Sequence, residues 1–493
     1  MSKKIARFLL LFLLSFVITY SYFTPVPQFI ATILHVPIST IAPSPTSPTS
    51  LPETTPVSTT ELAGYTLNTL VDYDAHIVTV DEIIRYPNHT GKQLDSIVLA
   101  VVPNLLVDSF DLQSISIDGA PVTAYALEGQ RLDIALSSLL QPESALTINI
   151  HFTLTLPFAV QEDPKISRPR IYGYTKHQLN LVDWYPFVVP YINGEWILHA
   201  PWYYGEHLVY DSADYEVNLK FADPDTAPVV AASGFPEQLA DSTRYTITSA
   251  RTFALSASRE FQVQSSQFEG ISVISYYFAI NETAGLAALQ ASVDAIRVFN
   301  QRYGAYQHKT LSIVMGDFND GMEYSAFFFL PRDFYNLYDG TPANYLTFVA
   351  AHETSHQWWF EQVASDQALQ PWVDEALATY SERIYYENTH PDLVGWWWTY
   401  RIDFYKPQGF VDIPIYEGQG FRPYTNAAYF QGAHFLEDLR TQIGDEEFFA
   451  FLQDYLKQGR GKIVTTADFF HLLREYTSVD ISDLILQYFQ NVY

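Results

Sequence analysis

The chain has 493 residues, of which 48% are hydrophobic and 16% aromatic, a composition typical of packed domains rather than of a disordered chain. This length exceeds what one ordinary core holds and predicts two domains. The 27 Lys and Arg residues against 55 Asp and Glu residues give a formal charge of −28, so the surface repels phosphates and no nucleic-acid partner is expected. The absence of cysteine excludes disulfides and thiolate metal ligands.

Residues 1–24 have the pattern of an export signal. Three basic residues precede an apolar run from Phe8 to Ile18, and this order is typical of secretory signals. The segment is either a cleaved signal peptide or an uncleaved signal anchor. The lack of a clear cleavage site counts against the first, and an apolar segment slightly shorter than the ~20 residues of a spanning helix counts against the second. We therefore expect an exported protein that acts outside the cytoplasm.

Residues 37–60 predict a linker. Of these 24 residues, 18 are Pro, Ser or Thr, and such a segment cannot bury a core and stays extended. A stalk of this kind would hold a folded region away from a membrane. It therefore favours a membrane tether through the N-terminal segment over secretion of a cleaved chain.

The remainder of the chain predicts an α+β multidomain protein. Apolar and polar residues alternate from Leu146 to Leu156, and this period of two predicts a strand with one buried face. Apolar residues recur at helical spacing from Leu286 to Ile296. We therefore predict an N-terminal all-β domain in residues 65–262 and a mainly α-helical domain in residues 263–493.

The sequence HETSHQWWF begins with two histidines four residues apart. Because a helix turns every ~3.6 residues, His352 and His356 lie on one face of the helix that the preceding apolar run predicts. Two imidazoles at this HExxH spacing are typical of a single metal site. The alternative is a buried helix whose two histidines are ordinary core residues.

A third ligand follows downstream. Catalytic zinc usually takes three protein ligands and keeps one position for water, and Glu375 lies in a predicted helix with 18 residues between it and His356. Glu353 lies next to the ion without being a ligand, in the position of a base that takes a proton from water. The pattern therefore predicts one Zn²⁺ per chain, bound by His352, His356 and Glu375 in an open hydrolytic site.

Three motifs in this order resemble the aminopeptidase N family of gluzincin zinc metallopeptidases, which also includes a bifunctional leukotriene hydrolase. In chain order, they are GMEY (321–324), HExxH followed after eighteen intervening residues by a glutamate, and YFQGAHFL (429–436). The resemblance covers roughly residues 65–493. It implies a thermolysin-like zinc peptidase domain in residues 263–493, in a short form that lacks the family's large helical C-terminal domain.

The resemblance also implies roles for four further residues. Tyr429 would donate a hydrogen bond to the oxyanion, and Glu323 would bind the free α-ammonium of the substrate. The backbone of Gly321 and Met322 would align the peptide. These roles imply an aminopeptidase whose partners are peptides with a free N-terminus. The alternatives are a zinc endopeptidase of the same fold and a non-catalytic binding or scaffold homologue.

The chain departs from the family pattern at three places near the motifs. Tyr324 stands where the family usually has Asn. Phe360-Glu361 stand where the family usually has Gly-Asn after the HQW stretch. Asp374 stands where Asn usually precedes the glutamate ligand. These departures leave the preferred N-terminal residue open. The position of Glu382, seven residues after Glu375, fits either a residue that supports a ligand or an exposed one.

Overall fold

The structure, a computed structural model, describes residues 61–159 and 170–493. The predicted signal segment (residues 1–24) and linker (residues 37–60) lie outside these ranges and stay predictions. A search of the described ranges finds no helix with the length and apolarity needed to cross a membrane.

The N-terminal half is built from strands because its apolar residues alternate. In Ala145–Thr155, Leu146, Ile148 and each second residue after them are buried, so the predicted period of two is confirmed. This strand pairs antiparallel with Ile77–Pro87 in the middle of an eight-stranded sheet. In order across that sheet, the strands are Phe235–Gln238, Thr243–Ala250, Ala213–Phe221, Ala63–Asp72, Ile77–Pro87, Ala145–Thr155, Phe110–Ile117 and Ala120–Pro121.

Smaller sheets complete this half. One four-stranded sheet contains, in order, Val229–Ala232, Leu255–Ser258, Leu179–Leu181 and Gly173–Tyr174. Another contains Phe187–Val188, Leu94–Ala100, Arg131–Leu140 and Tyr125–Glu128, and a two-stranded ribbon joins Tyr191–Ile192 to Glu195–Trp196.

A five-stranded mixed sheet begins the second half. Its strands, in order, are Phe261–Phe268, Ile271–Phe278, Thr310–Met315, Phe327–Leu330 and Met322–Tyr324. The GMEY motif thus supplies one of the two edge strands, Met322–Tyr324, which pairs antiparallel with Phe327–Leu330. The predicted domain boundary after residue 262 falls within the first of these strands.

Helices make up most of the rest of the chain. The helical spacing from Leu286 to Ile296 lies in the helix Glu282–Arg302, as predicted. Within the described residues, the other α-helices are Arg332–Leu337, Tyr345–Ser355, Trp372–Thr389, Val394–Trp397, Phe421–Thr425, Gly432–Ile443, Asp445–Gly459, Thr466–Tyr476 and Ser482–Tyr488. The segments Trp398–Ile402 and Asn426–Gln431 are π-helical, and Ala364–Ser365 pairs with Ile463–Val464. The predicted fold class, a β-rich half followed by a mainly helical half, is confirmed.

Candidate metal centre and active site

Two helices bring His352, His356 and Glu375 together. The helix Tyr345–Ser355, called here the histidine helix, carries His352, and His356 is the residue that caps its C-terminus. The amide of His356 still donates to the carbonyl of His352 at 3.3 Å, so the two rings lie one turn apart. Glu375 lies in the first turn of Trp372–Thr389, called here the glutamate helix. Its Oε2 is 3.3 Å from Nε2 of His352 and 3.7 Å from Nε2 of His356.

Carboxylates of the glutamate helix orient both rings. Nδ1 of His352 donates to Oε1 of Glu382 at 3.0 Å, and Nδ1 of His356 donates to Oδ1 of Asp374 at 2.8 Å. A hydrogen bond at Nδ1 fixes the ring and leaves Nε2 as the ligand atom. Both imidazoles therefore present Nε2 toward Glu375.

The sequence left open whether Glu382 supports a ligand or is exposed. In the structure it is completely buried. It also accepts hydrogen bonds from Trp397 Nε1 at 2.8 Å and from Arg401 Nη2 at 2.8 Å. The Arg401 charge compensates the buried carboxylate, because an unpaired ion at this depth is strongly unfavourable. Glu382 is thus held rigidly where it orients His352.

The three residues fit a zinc ion. Their ligand atoms all lie within 4.8 Å of one another, and all three side chains are buried. Oε2 of Glu375 accepts no hydrogen bond from any residue in the described ranges, and a buried carboxylate oxygen is unfavourable without a partner. Two imidazole nitrogens and one carboxylate oxygen are the ligand set of many catalytic zinc sites. The predicted Zn²⁺ cofactor therefore suits this site.

The two neighbouring histidines keep the carboxyl group of Glu375 ionised. Burial alone raises its pKa, but the contact with His352 and the charge of His356 outweigh burial and lower the pKa to about 2. A carboxylate that remains deprotonated at all ordinary pH values is a constant ligand.

Glu353 faces the same site from the histidine helix. Burial raises the pKa of this carboxyl to about 7, against the opposing charges of His352 and His356. Its Oε2 has no hydrogen-bond partner among the residues that the structure describes. A Cβ added to Gly321 would lie 2.5 Å from Oε1 of Glu353, so a side chain at this position would displace the Glu353 carboxylate.

Glu323 reaches the site from the edge strand and is 4% exposed. Its pKa is raised well above the usual value, first by burial and further by the charge of Glu206, while His356 opposes the shift. Nε2 of Gln367 donates to Oε1 of Glu323 at 3.3 Å and to Oδ2 of Asp374 at 2.9 Å. Carboxylates held close together repel one another, and a bound cation relieves this repulsion.

Tyr429 completes the site. It lies in the π-helical segment Asn426–Gln431, a type of helical irregularity that is frequent at functional sites. Its hydroxyl donates to Oε1 of Glu375 at 2.6 Å, and its ring stacks on that of His352 with centroids 6.3 Å apart. The structure thus brings the predicted metal ligands together with Glu353, Glu323 and Tyr429, and Met322 lies beside Glu323 on the edge strand.

Three site residues were missed from the sequence. Asp374 is adjacent to Glu375 and could have been found from that position, since ligand histidines usually need a second hydrogen-bonded partner. Glu206 and Gln367 belong to no recognisable pattern. The fold brings them near Glu323 from the β half and from the loop before the glutamate helix.

Residues 287–488 match the Peptidase family M1 domain. This stretch contains the histidine helix, the glutamate helix and Tyr429. This part of the chain is therefore similar to the peptidase domain of family M1, and the predicted resemblance to zinc metallopeptidases of the aminopeptidase type is confirmed.

Among curated proteins, Aminopeptidase M1-D from Oryza sativa subsp. japonica is 21% identical to the chain over 232 residues. The match covers 44% of this chain and 27% of that protein. The chain thus matches about a quarter of the length of this curated relative.

Solved structures share the fold over most of the chain. An M1 zinc metallopeptidase from Deinococcus radiodurans has a TM-score of 0.62 at 16% identity, and the match covers 88% of this chain and 95% of that one. An M1 zinc metallopeptidase mutant from the same organism, bound to a Tyr-Ser-Ala substrate, has a TM-score of 0.63 at 16% identity with the same coverage. A two-domain M1 zinc metallopeptidase mutant bound to L-tryptophan has a TM-score of 0.63 at 17% identity and again the same coverage.

Proposed function

We propose that the protein is a zinc-dependent aminopeptidase that removes N-terminal residues from peptides. The observation that carries this proposal is the position of Glu323, a buried carboxylate on an edge strand beside the cluster of His352, His356 and Glu375. A carboxylate there can pair with an ammonium group, and such charge-assisted bonds are strong. The substrate would therefore be held by its free N-terminus.

The candidate zinc ligands are His352, His356 and Glu375. When bound, the ion would supply Lewis acidity that polarises the scissile carbonyl and acidifies the attacking water. Asp374 and Glu382 keep the two imidazoles in the ligand orientation.

Proton transfer and charge stabilisation fall to two residues. Glu353, with its pKa raised to about 7 by burial, takes the proton of the attacking water at a carboxylate oxygen and returns it to the leaving amine. The phenol of Tyr429 donates a hydrogen bond to the oxyanion that develops on the scissile carbonyl.

Substrate alignment comes from the edge strand. An extended peptide can add to an open sheet edge through main-chain hydrogen bonds, and Met322–Tyr324 is the edge strand of its sheet. Gly321 lets the backbone approach Glu353 closely. With the ammonium at Glu323, the first peptide bond lies next to the base and the metal ligands.

The relatives support this proposal. One solved relative carries a Tyr-Ser-Ala substrate, and others carry L-tryptophan or L-arginine. Peptides and single amino acids are the substrates and products of an enzyme that removes N-terminal residues.

A panel of aminoacyl fluorogenic substrates, assayed with and without a chelator, tests the proposal. We expect chelator-sensitive cleavage of free-amine substrates one residue at a time, and little cleavage of the same peptides after N-acetylation. Equal cleavage of blocked peptides, or of internal bonds in a folded protein, would favour the endopeptidase alternative. Zinc binding without any turnover would favour the scaffold alternative.

We also propose that the protein is exported and tethered to a membrane by its N-terminal segment. The support is the basic and apolar pattern of residues 1–24 and the Pro/Ser/Thr-rich stretch of residues 37–60. Fractionation of cells that express the full chain should place the activity on the outer side of a membrane, accessible to added protease. Activity retained in the cytoplasm would contradict this localisation.

A further inference from the structure

The hairpin that carries Glu323 turns within two residues. Strand Met322–Tyr324 pairs antiparallel with Phe327–Leu330, and Ser325 and Ala326 form the turn between them. Ala326 has a φ of +52°, in the left-handed region that is unfavourable for a residue with a Cβ. A three-residue edge strand with such a turn needs support from outside the hairpin if Glu323 is to keep a fixed position.

Gln357, in the turn that follows the histidine helix, holds both sides of the hairpin turn. Its Nε2 donates to the carbonyl of Tyr324 at 3.0 Å, and its Oε1 accepts from the amide of Ala326 at 2.8 Å. The side chain is completely buried. One amide group thus satisfies a backbone acceptor and a backbone donor on either side of Ser325.

Glu361 holds the middle of the hairpin turn. Its Oε2 accepts from Oγ of Ser325 at 2.5 Å, and its Oε1 accepts from Nε2 of His308 at 2.6 Å. Oγ of Ser325 in turn accepts from the amides of Arg251 and Thr252, each at 2.9 Å. The carboxylate is buried, so these bonds act in a medium of low polarity, where they are strong.

Arg251 connects this group to the β half of the molecule. It follows the strand Thr243–Ala250, and its buried guanidinium donates to the carbonyls of Tyr210 at 3.0 Å, Glu361 at 3.2 Å and Lys462 at 2.9 Å. The β half, the hairpin and the turn after the histidine helix therefore share one buried network.

The turn that presents Glu361 is itself strained. Phe360 has a φ of +138°, a conformation that residues with side chains seldom adopt. Its ring is 4% exposed and lies edge-on to that of Tyr210, with centroids 6.2 Å apart. The hydrogen-bond network stabilises this strained turn. The turn in its strained conformation places the Glu361 carboxylate next to Ser325 of the hairpin.

We propose that Gln357 and Glu361, named here the hairpin clamp, are positioning residues for recognition of the substrate amine. They hold the turn after Glu323 at a fixed place relative to the histidine helix, and so set the distance between the ammonium site and the metal ligands. The inference rests on the proposed aminopeptidase function. Both side chains are buried, so they act through the hairpin and not by contact with the substrate. A shift of about 1 Å at a reacting centre costs on the order of 10²-fold in rate, so a loosened hairpin should weaken selection of free N-termini.

The test compares four variants of the zinc-loaded full chain with the wild type. Gln357→Leu removes both hydrogen bonds of the side-chain amide, and Glu361→Ala removes the carboxylate. Ser325→Ala is a milder change that removes one hydroxyl. Glu361→Gln is the conservative variant, because its amide oxygen still accepts from Ser325. For each variant we would measure KM and kcat on a free-amine tripeptide, cleavage of the N-acetylated tripeptide, zinc content and Tm.

Asp412→Ala is the matched control. Asp412 is a buried carboxylate that accepts hydrogen bonds from Gln490, Asn491 and Tyr493 near the C-terminus. Its loss should lower Tm as a buried hydrogen-bonded group does, without changing selectivity.

For Gln357→Leu and Glu361→Ala, we expect kcat/KM on the free-amine tripeptide to fall about 10- to 100-fold, the magnitude of a small misplacement, mainly through a higher KM, while zinc content is unchanged. Ser325→Ala should fall between these variants and the wild type, and Glu361→Gln should keep most of the selectivity. Variants that lose Tm but keep KM and selectivity, as Asp412→Ala should, would overturn the inference, and so would loss of zinc together with activity. A wild type that shows no preference for free amines would instead overturn the proposed function itself.

Discussion

The hydroxyl of Tyr429 donates to Oε1 of Glu375 at 2.6 Å, so the candidate oxyanion donor is bonded directly to a candidate zinc ligand. Burial, and after it the charge of Glu375, raises the pKa of Tyr429 well above the usual value. The phenol therefore keeps its proton at any ordinary pH. A donor that is protonated and already beside the metal ligands needs little reorganisation to meet a substrate carbonyl.

Tyr429→Phe should lower kcat by about 10²–10³-fold, the usual effect of losing one oxyanion donor. Zinc content should stay unchanged, because the substitution removes only a hydroxyl that is not a ligand. Tyr424→Phe is the matched control, since its ring packs on that of Tyr429 at 5.7 Å, and it should keep most of the activity. Steady-state kinetics with metal analysis measures both. A Tyr429→Phe variant with a near wild-type kcat would show that the oxyanion is stabilised elsewhere.

Glu353→Gln should bind zinc but lose turnover, since the carboxylate acts as a base and not as a ligand. Loss of general base catalysis typically costs about 10²–10⁴-fold in rate. His352→Ala serves as the contrast, because it should lose zinc as well as activity. Metal analysis after dialysis against dilute zinc, paired with kcat, separates the two effects. Unchanged turnover in zinc-loaded Glu353→Gln would rule out this mechanism.

Asp374 offers a test of how the ligand rings are oriented. Asp374→Ala removes the nearer acceptor of His356 Nδ1, at 2.8 Å, and leaves the carbonyl of Trp359 at 3.2 Å. It should weaken zinc binding by about 10- to 100-fold, as loss of such a partner usually does. Asp374→Asn keeps an amide oxygen in the same place and should bind zinc nearly as well as the wild type. Competition with a chromogenic chelator measures both affinities. Equal zinc affinity in the two variants would mean that another group orients this ring.

A prediction about stability concerns Asp183, a carboxyl in the β half. Burial raises its pKa to about 6, although a hydrogen bond from Tyr210 opposes the shift. The folded state therefore binds this proton more tightly than the unfolded state, whose Asp titrates near ~3.9. The contribution of Asp183 to the free energy of unfolding is greatest below pH ~4, and it falls as the pH rises to ~6.

Asp183→Asn removes that titration and should stabilise the protein by about 1–3 kcal/mol at pH 8, with little change at pH 4. Urea unfolding of the variant and of the wild type across this pH range measures the difference. Asp225→Asn, at an exposed position, supplies the control for the loss of one negative charge without the burial of Asp183. A pH-independent effect of Asp183→Asn would show that the carboxyl does not titrate in this range.

The strands and helices that position the site follow from local patterns in the sequence. The period of two in Ala145–Thr155 and the apolar run of Tyr345–Ser355 each identify an element and its buried face. The order of the strands cannot be read in this way. Ala63–Asp72 pairs in parallel with Ala213–Phe221 across most of the β half, and such long-range pairing depends on the packing of the whole sheet.

The ligands of the candidate site could be predicted because HExxH puts two imidazoles on one helical face and few other residues compete for the role. Its supporting residues could not. In a chain with 55 acidic residues, nothing local distinguishes Glu206 or Glu361 from a solvated carboxylate. The role of Glu361 arises from contacts with His308 and Arg251, which are far from it along the chain. Glu206 acts through its charge on Glu323, which is also distant in sequence.

The unusual backbone at Phe360 implies that this position depends on its surroundings in the sequence. A left-handed conformation costs about 1–3 kcal/mol for a residue other than glycine, whereas truncating a buried phenylalanine costs about 3–5 kcal/mol. Phe360→Gly should therefore destabilise the protein, although it restores the residue that the family usually has there. In a Tyr210→Ala background the same substitution should be far less harmful, because the ring has lost its aromatic neighbour. We therefore expect the effects of substitutions at Phe360 and Tyr210 to be non-additive, because their rings are in contact.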